Sequence, residues 1–178
     1  MIYMFLATGF EEIEALMPLD LMRRAGIEVK TVGVGGLEIT GSHGITVKAD
    51  MLDSEFDDKA PECVILPGGM PGTKNLDASA VVHKALDSAL ENNALICAIC
   101  AAPMILGKRG ILRGKKATCF PGFEEYLEGA EIGGRAVRDG QVITGVGMGA
   151  ALEFGIEIVA ALISREAADK LFAAVLAE

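Results

Sequence analysis

The order of apolar segments along the chain is the feature that most restricts its fold. Short apolar runs, typical of buried strands, alternate with stretches whose apolar residues recur at helical spacing. The pattern predicts strands at residues 2–7, 27–34, 63–66 and 94–99, and helices at residues 13–25, 77–92 and 101–108. Strands that are apolar throughout and alternate with helices are typical of a parallel sheet covered on both faces.

Two hairpins interrupt this alternation, and two helices end it. Residues 37–49, centred on the turn sequence GSHG, and residues 136–146, turning at Asp139-Gly140, have the pattern of β-hairpins. Residues 150–163 and 165–177 predict two helices that are broken near Ser164. Since no linker, repeat or low-complexity tract divides the chain, we predict a single domain over residues 1–178. Its expected fold is α/β, a flavodoxin-like three-layer sandwich with a mainly parallel sheet, whose site lies at the carboxyl ends of the strands.

The composition restricts the partners and the compartment. The 178 residues are 51% hydrophobic, the net charge is -9 and tryptophan is absent, which argues against a nucleic-acid partner. The apolar start of the chain is too short to cross a membrane and lacks a basic leader, so we expect no membrane partner. The four cysteines are unevenly spaced within apolar runs, which is typical of reduced thiols and predicts a cytoplasmic protein.

The sequence CAIC at residues 97–100 raises three possibilities: a redox dithiol, half of a metal site, or one nucleophile beside an unrelated cysteine. If Cys97 lies in a strand, the two cysteines are about 9 to 10 Å apart, whereas a disulfide needs Cα atoms within about 7 Å. No second closely spaced cysteine pair exists, and His43 and His83 stand apart in the sequence. We therefore expect neither a dithiol nor a metal site.

The third possibility makes Cys100 a nucleophile at a sharp turn between a strand and a helix. The strand would end at Ile99 and the helix would start at Ala101, with small residues on both sides, as a nucleophile elbow requires. Such a turn exposes the sulfur and places it at a helix start, which favours the thiolate. A small buried cysteine is an equally good interpretation of Cys100, and it is the one expected for Cys63, Cys97 and Cys119.

Gly68 and Gly69 follow a predicted strand, so they are expected at the same edge of the sheet as Cys100. Two consecutive glycines leave backbone N–H groups accessible to a ligand oxygen. The N–H of Gly69 and that of Ala101 are therefore candidate oxyanion donors, although a plain turn explains the glycines almost as well.

Glu14 lies on an unusual face of the first predicted helix. Pro18 and Leu21, four and seven residues further on, make that face apolar one turn later. A carboxyl buried there has a raised pKa, and its protonated form can donate a hydrogen bond to a thiolate and move a proton. A solvated carboxylate is the alternative. Glu11 and Glu12 are expected to be ordinary carboxylates of the first helical turn.

Residues 145–150, GVGMGA, match a dinucleotide-binding pattern only superficially. Only helices follow them, so no later strand is available to carry the acidic residue that binds the ribose. We expect a turn for close helix packing, and we expect no cofactor.

Taken together, these motifs resemble the ThiJ/PfpI superfamily, and within it the branch of the parkinsonism-associated protein deglycase. The similarity is carried by GFEEIE at residues 9–14, MRRAGI at 22–27, LPGG at 66–69, AICAAP at 98–103 and residues 144–154. The resemblance implies a flavodoxin-like homodimer with an oxidation-sensitive nucleophile at Cys100 and a protonated partner at Glu14. It also implies backbone donors at Gly69 and Ala101, and a role for Arg24 in the pocket or at the dimer edge.

The chain departs from the family pattern at three positions. Where many relatives have a histidine near the cysteine, this sequence has Phe120, and Ala101 stands where protease-like members carry a histidine. His43 replaces an arginine that often faces the pocket; it could reach the site or be a surface turn residue. Similarity to glutamine amidotransferases is weaker, because no His-x-Glu pair occurs near the C-terminus.

The resemblance and the thiol–carboxyl pair favour a cysteine-dependent enzyme that acts on small reactive carbonyls or their adducts, of the glyoxalase or deglycase type. A redox sensor or stress-protective protein without enzymatic activity is the alternative. Peptide hydrolysis is disfavoured by Ala101 and Phe120.

Overall fold

A computed structural model describes residues 1–57 and 60–177 of the chain. Eleven strands are present there: β1 (Ile2–Leu6), β2 (Val29–Gly33), β3 (Glu38–Thr40), β4 (Thr46–Lys48), β5 (Met51–Leu52), β6 (Cys63–Leu66), β7 (Leu95–Ile99), β8 (Lys116–Ala117), β9 (Glu131–Ile132), β10 (Ala136–Asp139) and β11 (Val142–Gly145). The six α-helices in this part of the chain are α1 (Glu12–Arg24), α2 (Gly72–Asp77), α3 (Ala80–Glu91), α4 (Pro103–Lys108), α5 (Ala151–Leu162) and α6 (Arg165–Ala174).

The central sheet has seven strands in the order β10-β11-β7-β6-β1-β2-β5. All neighbours are parallel except β10 and β11, which form the second predicted hairpin. The first predicted hairpin is β3 and β4, which pair with each other outside this sheet. The predicted α/β fold with a mainly parallel sheet is therefore confirmed.

Helices cover both faces of the sheet. On one face α1 packs against α5 and α5 against α6, while α3 and α4 contact the central strands on the other. Gly155 allows the close approach of α1 to α5, since a Cβ there would lie 3.0 Å from Pro18 Cα. None of the helices in the described ranges is long and apolar enough to span a membrane.

The predicted helix over residues 77–92 is wrong at its start. Asp77 ends α2, a short helix that the sequence pattern does not reveal, and α3 begins only after Ser79, whose side chain caps it by accepting from the Val82 N–H. The predicted helix at residues 101–108 likewise begins two residues later, at Pro103. Proline is favoured in the first turn because its missing N–H has no partner there in any case.

Three of the cysteines are buried as predicted, namely Cys63, Cys97 and Cys119. Cys97 lies in β7 and its sulfur is 3.7 Å from that of Cys63 in the neighbouring β6. The partner of Cys97 is therefore a residue 34 positions earlier, and the spacing of Cys97 and Cys100 in CAIC is incidental.

Candidate active site

Cys100 occupies the turn between β7 and α4 with a φ of 65°. Residues other than glycine rarely adopt this left-handed conformation, so the surrounding contacts must hold it. The Cys100 N–H donates to the Gly145 carbonyl, and the Cys100 carbonyl accepts from the Phe120 N–H, both at 2.8 Å. These bonds tie the turn to two neighbouring loops and leave the sulfur partly exposed at the carboxyl edge of the sheet, which is the predicted elbow.

Two backbone donors face the Cys100 sulfur, the N–H groups of Gly69 and Ala101. Gly69 has a φ of 90°, and a Cβ there would overlap the backbone of Phe10 and Glu11. Only glycine fits this position, because both the space and the backbone conformation exclude a side chain. The two predicted donors therefore lie together, where they can stabilise negative charge on sulfur or on an oxygen bonded next to it.

Glu14 meets Cys100 beneath the turn. Its side chain is only 1% exposed, it hydrogen-bonds the Cys100 thiol, and its Oε2 accepts from the Gly68 N–H at 3.0 Å. A Cβ at Gly68 would lie 2.5 Å from Glu14 Oε2 and 2.6 Å from Cys100 Cβ. Because Gly68 is a glycine, the carboxyl of Glu14 and the thiol of Cys100 can approach each other.

The pair does not hold two negative charges at neutral pH. Burial raises the pKa of Glu14 to about 7, and the charge of Glu11 adds to the rise. Burial also raises the pKa of the Cys100 thiol to about 12 when a charged Glu14 is beside it, although the Ala101 and Gly69 N–H groups oppose this. Because the charge of Glu14 contributes to the raised pKa of Cys100, ionisation of one group disfavours ionisation of the other.

The expectation that a helix start alone favours the thiolate is corrected by this geometry. The helix α4 begins at Pro103 rather than at Ala101, and burial outweighs the contribution of the two N–H donors. Glu14 adds to the rise in the pKa of Cys100, so the N–H groups of Ala101 and Gly69 are the contacts that favour the thiolate.

His43 contacts Glu12 and does not pair with Glu14 or Cys100. Its N–H donates to Glu12 Oε1 at 2.8 Å, and its Nδ1 is 3.0 Å from Glu12 Oε2, while the ring is 73% exposed. The hydrogen bond to Glu12 raises the pKa of His43. His43 therefore fastens the β3–β4 hairpin to the start of α1, next to the site rather than in it.

Glu12 differs from the ordinary helix carboxylate that the sequence suggests. It is 2% exposed and accepts from the His43 and Ile45 N–H groups, the latter at 3.3 Å. Burial alone would raise the pKa of Glu12, but these hydrogen bonds and that of the His43 ring outweigh it and lower the pKa to about 2. Glu11, Glu12 and His43 each offer one atom that can coordinate a metal ion, and these three atoms lie within 4.8 Å of one another. Among the described residues, they form a group that could hold a cation.

Arg24 lies away from Cys100. It is in the last turn of α1, about 15 Å along the helix axis from Glu14, and its Nε is 2.6 Å from Asp20 Oδ2. Both side chains are more than half exposed. Arg24 borders a surface groove with Met17 and Leu152, and a role there stays a prediction.

Two further residues lie at the site: Met148, which the sequence did not single out, and Phe120, which the family resemblance places near the cysteine. The Met148 N–H donates to the Glu14 carboxyl, and Phe120 packs beside Gly147, close to the same carboxyl. Met148 belongs to the GVGMGA segment that was predicted to be only a packing turn. Met148 lies three residues after the end of β11, at the carboxyl edge of the sheet. That position is the signal that could have identified it.

The fold and the site define a class of protein, an α/β sandwich with a cysteine at a nucleophile elbow and a buried carboxyl as its partner. The chain has two histidines, and within residues 1–57 and 60–177 neither pairs with Cys100, since His43 bonds to Glu12 and His83 to the Asp77 carbonyl. A family model described as the DJ-1/PfpI family matches residues 1–161. The chain belongs to that family.

Individual relatives agree with this assignment. The chain is 36% identical over 172 residues to Parkinson disease protein 7 homolog of Danio rerio, covering 93% of this chain and 91% of the relative. It is 30% identical over 164 residues to Glutathione-independent glyoxalase DJR-1.2 of Caenorhabditis elegans, covering 90% and 87%. The solved structure of Toxoplasma gondii DJ-1, oxidized, matches with a TM-score of 0.93 and 34% identity over 98% of this chain and 97% of that one.

Other relatives are longer than this chain. It spans 38% and 44% of the length of Protein DJ-1 homologs B and A of Arabidopsis thaliana, at 35% identity to each. One copy of this chain thus corresponds to less than half of those proteins.

Proposed function

We propose that the protein is a cysteine-dependent enzyme that acts on small reactive carbonyls or their adducts, of the glyoxalase or deglycase type. The observation that carries the proposal is the contact between Cys100 and the buried Glu14, with the Gly69 and Ala101 N–H groups beside the sulfur. This arrangement offers a nucleophile, a proton carrier and oxyanion donors without a histidine. The relative named as a glutathione-independent glyoxalase supports the same reaction class.

The first step in this proposal is addition of the thiolate to an aldehyde. The Cys100 sulfur forms a bond to the aldehyde carbon of methylglyoxal, and the electrons of the carbonyl bond move to oxygen. The Gly69 and Ala101 N–H groups stabilise that oxygen, and Glu14 delivers its proton to it, giving a neutral hemithioacetal.

The carboxylate left on Glu14 then acts as a base. It removes the hydrogen from the carbon bonded to sulfur, and the proton of the hydroxyl group moves to the neighbouring ketone oxygen through the enediol. Return of the carbon-bound proton to the adjacent carbon then gives the thioester. Water cleaves the thioester and regenerates the thiol, so the net reaction is methylglyoxal plus water to lactic acid. Neither an external thiol nor an external oxidant is consumed.

Replacement of Cys100 by Ala tests the mechanism. The purified variant should lose methylglyoxal turnover, measured as lactate formed, while Cys63→Ala serves as a control because Cys63 is buried in β6 away from the site. Circular dichroism and the thermal midpoint establish that both variants are folded. Wild-type turnover by folded Cys100→Ala would disprove the mechanism.

A redox sensor or stress-protective protein is the second candidate. Cys100 is the cysteine with partial exposure, whereas Cys63, Cys97 and Cys119 are buried. Two equivalents of peroxide would oxidise its thiolate to a sulfinate and release water, and Glu14 and the Gly69 N–H could hydrogen-bond the product. Intact mass and peptide mapping after mild peroxide treatment should place the first oxidation on Cys100. Earlier oxidation of another cysteine would count against this role.

The assembly and location belong to the same proposal. From the family resemblance and the reduced cysteines, we expect a cytoplasmic homodimer in which each chain is one domain and takes a small carbonyl compound as substrate. Peptide hydrolysis remains the least favoured reaction, because Ala101 and Phe120 leave Cys100 without an imidazole base.

A further inference from the structure

Three partly exposed apolar side chains belong to the segments that build the Cys100–Glu14 site. Met70, Phe120 and Met148 are 39%, 48% and 54% exposed, and they lie in three different loops. We refer to these three residues as the apolar collar. Single exposed apolar residues are ordinary on protein surfaces, but these three belong to segments whose backbones contact Cys100 or Glu14 or lie next to a donor that does.

Backbone contacts fix each collar residue relative to the reacting groups. Met70 directly follows Gly69, whose N–H faces the Cys100 sulfur. The Phe120 N–H donates to the Cys100 carbonyl at 2.8 Å. The Met148 N–H donates to the carboxyl of Glu14. Phe120 and Met148 are therefore held by hydrogen bonds of the site, and Met70 is held by its peptide bond to Gly69.

The space beside Gly147 shows how near the Phe120 ring comes to the proton carrier. A Cβ at Gly147 would lie 3.3 Å from Phe120 Cδ2 and 3.9 Å from Glu14 Oε1. A contact of 3.3 Å is already tight for one carbon, so the lack of a side chain at Gly147 is what allows the ring edge to lie this near the carboxyl. The exposed part of the Phe120 ring, rather than the gap at Gly147, is the surface that a group bonded to the aldehyde carbon would cover.

An apolar groove adjoins the collar. Met70 lines a groove of about 510 Å³ together with Met104, Phe123 and Tyr126. The Phe123 N–H donates to the Phe120 carbonyl at 3.1 Å, so the groove and the collar share a turn. Lys74, Lys108 and Asp77 also line this groove, and Lys108 is paired with Asp77 at 2.6 Å. Met70, Met104 and the two aromatic rings supply the apolar contacts on this side of the collar.

We propose that the apolar collar makes the enzyme prefer 2-oxoaldehydes with an aryl or larger alkyl substituent over methylglyoxal, and that Phe120 is the main specificity-determining residue. This inference rests on the proposed function. The aldehyde carbon bonds to Cys100, and the substituent displaces water from the Phe120 ring. Burial of additional apolar surface stabilises the bound substrate and the transition state for the larger aldehyde only.

Substitution of Phe120 by Ala tests the preference with phenylglyoxal and methylglyoxal as paired substrates. We expect kcat/KM for phenylglyoxal, relative to that for methylglyoxal, to fall about tenfold in Phe120→Ala, since small changes in an apolar pocket give discrimination of that order. Dividing the variant ratio by the wild-type ratio cancels the intrinsic reactivity of the two aldehydes. Phe120→Leu should retain most of the preference, and Met148→Ala should lose less than Phe120→Ala.

Leu90→Ala is the matched control, because Leu90 is 47% exposed at the end of α3. That end of α3 precedes the start of β7, whereas Cys100 follows the end of the same strand. It should leave the substrate ratio within twofold of wild type. An unchanged ratio in folded Phe120→Ala, with turnover that still depends on Cys100, would overturn the collar and leave the proposed function intact. Absence of Cys100-dependent turnover with both aldehydes in the wild type would overturn the proposed function and the collar with it.

Discussion

Glu12 and Glu14 lie two residues apart in the first turn of α1 and are both almost completely buried, at 2% and 1% exposure, yet they ionise in opposite ways. The pKa of Glu12 falls to about 2 and that of Glu14 rises to about 7. Burial by itself raises both values. The hydrogen-bond donors that meet each carboxyl decide the difference.

Glu12 is surrounded by donors of the β3–β4 hairpin. Two backbone N–H groups and the ring of His43 point to its oxygens, so the charged form is stabilised and the hairpin is held in place. Glu14 accepts from the Gly68 and Met148 N–H groups and hydrogen-bonds the Cys100 thiol, but burial and the negative charge of Glu11 outweigh these contacts and raise its pKa. Glu12 is therefore a structural carboxylate that stays charged at neutral pH, whereas Glu14 can gain or lose a proton near neutral pH.

The largest expected consequence concerns turnover. Glu14→Gln should lower kcat/KM for methylglyoxal by about 10²- to 10³-fold, because general acid–base catalysis commonly contributes that much. Glu12→Gln should change it by less than about fivefold at a temperature where the variant is folded, since Glu12 does not meet Cys100. Lactate formation by the two purified variants measures this. Equal losses in both would mean that Glu14 acts only through the structure.

The second consequence concerns stability and its dependence on pH. For Glu12 the pKa falls from 4.5 to about 2 on folding, so its contribution is present above pH 4.5 and is lost as the pH falls towards 2. The His43 ring that bonds Glu12 is 73% exposed, so water weakens this interaction and we expect Glu12→Gln to lower the free energy of unfolding by about 1 to 2 kcal/mol at pH 7. His43→Gln should lower the stability in the same direction by less.

For Glu14 the sign is reversed. Its pKa rises from 4.5 to about 7 on folding, so ionisation destabilises the folded protein increasingly as the pH rises through this interval. Glu14→Gln should therefore raise the free energy of unfolding by about 2 to 3 kcal/mol at pH 8 and by much less near pH 4.5. Urea denaturation of the wild type and both variants at several pH values tests the two signs. A loss of stability at pH 8 in Glu14→Gln would contradict the raised pKa.

The smallest of these effects involves two glycines, one beside each carboxyl. A Cβ at Gly68 would press on Glu14 and Cys100, and a Cβ at Gly41 would overlap the carboxyl of Glu12. We expect Gly68→Ala to lower kcat/KM about tenfold by separating the thiol from its partner, and Gly41→Ala to lower stability by about 1 kcal/mol with turnover retained.

Gly36→Ala is the control for both variants, because nothing lies within 4 Å of a Cβ at that position. None of these three glycines has a φ in the left-handed region, so steric overlap is what distinguishes them. If Gly68→Ala has the turnover of Gly36→Ala, the close approach of Glu14 and Cys100 is not needed for the reaction.

Most of the fold follows from the sequence. The alternation of apolar strands and helical stretches predicts β1, α1, β2, β6 and β7 to within two residues, and the turn residues predict both hairpins. Periodicity carries this information because each element buries its own apolar side. The short helix α2 is missed, since six residues are too few to show a helical period.

At the site, the local sequence is enough to nominate residues whose requirements are local. A cysteine between small residues, paired glycines after a strand, and a carboxyl on an apolar helix face point to Cys100, Gly69 and Glu14. Each of these features reflects a steric or solvation need within a few residues of the chain, which is why a sequence pattern can express it.

The tertiary structure alone decided which distant residues share those surroundings. It placed His43 on Glu12 rather than at the thiol and brought the Met148 N–H to the carboxyl of Glu14. Such contacts depend on the order of the strands in the sheet and on the paths of the loops between them. Neither is written in local periodicity, so the hydrogen bonds that lower the pKa of Glu12 could be assigned only once the chain was folded.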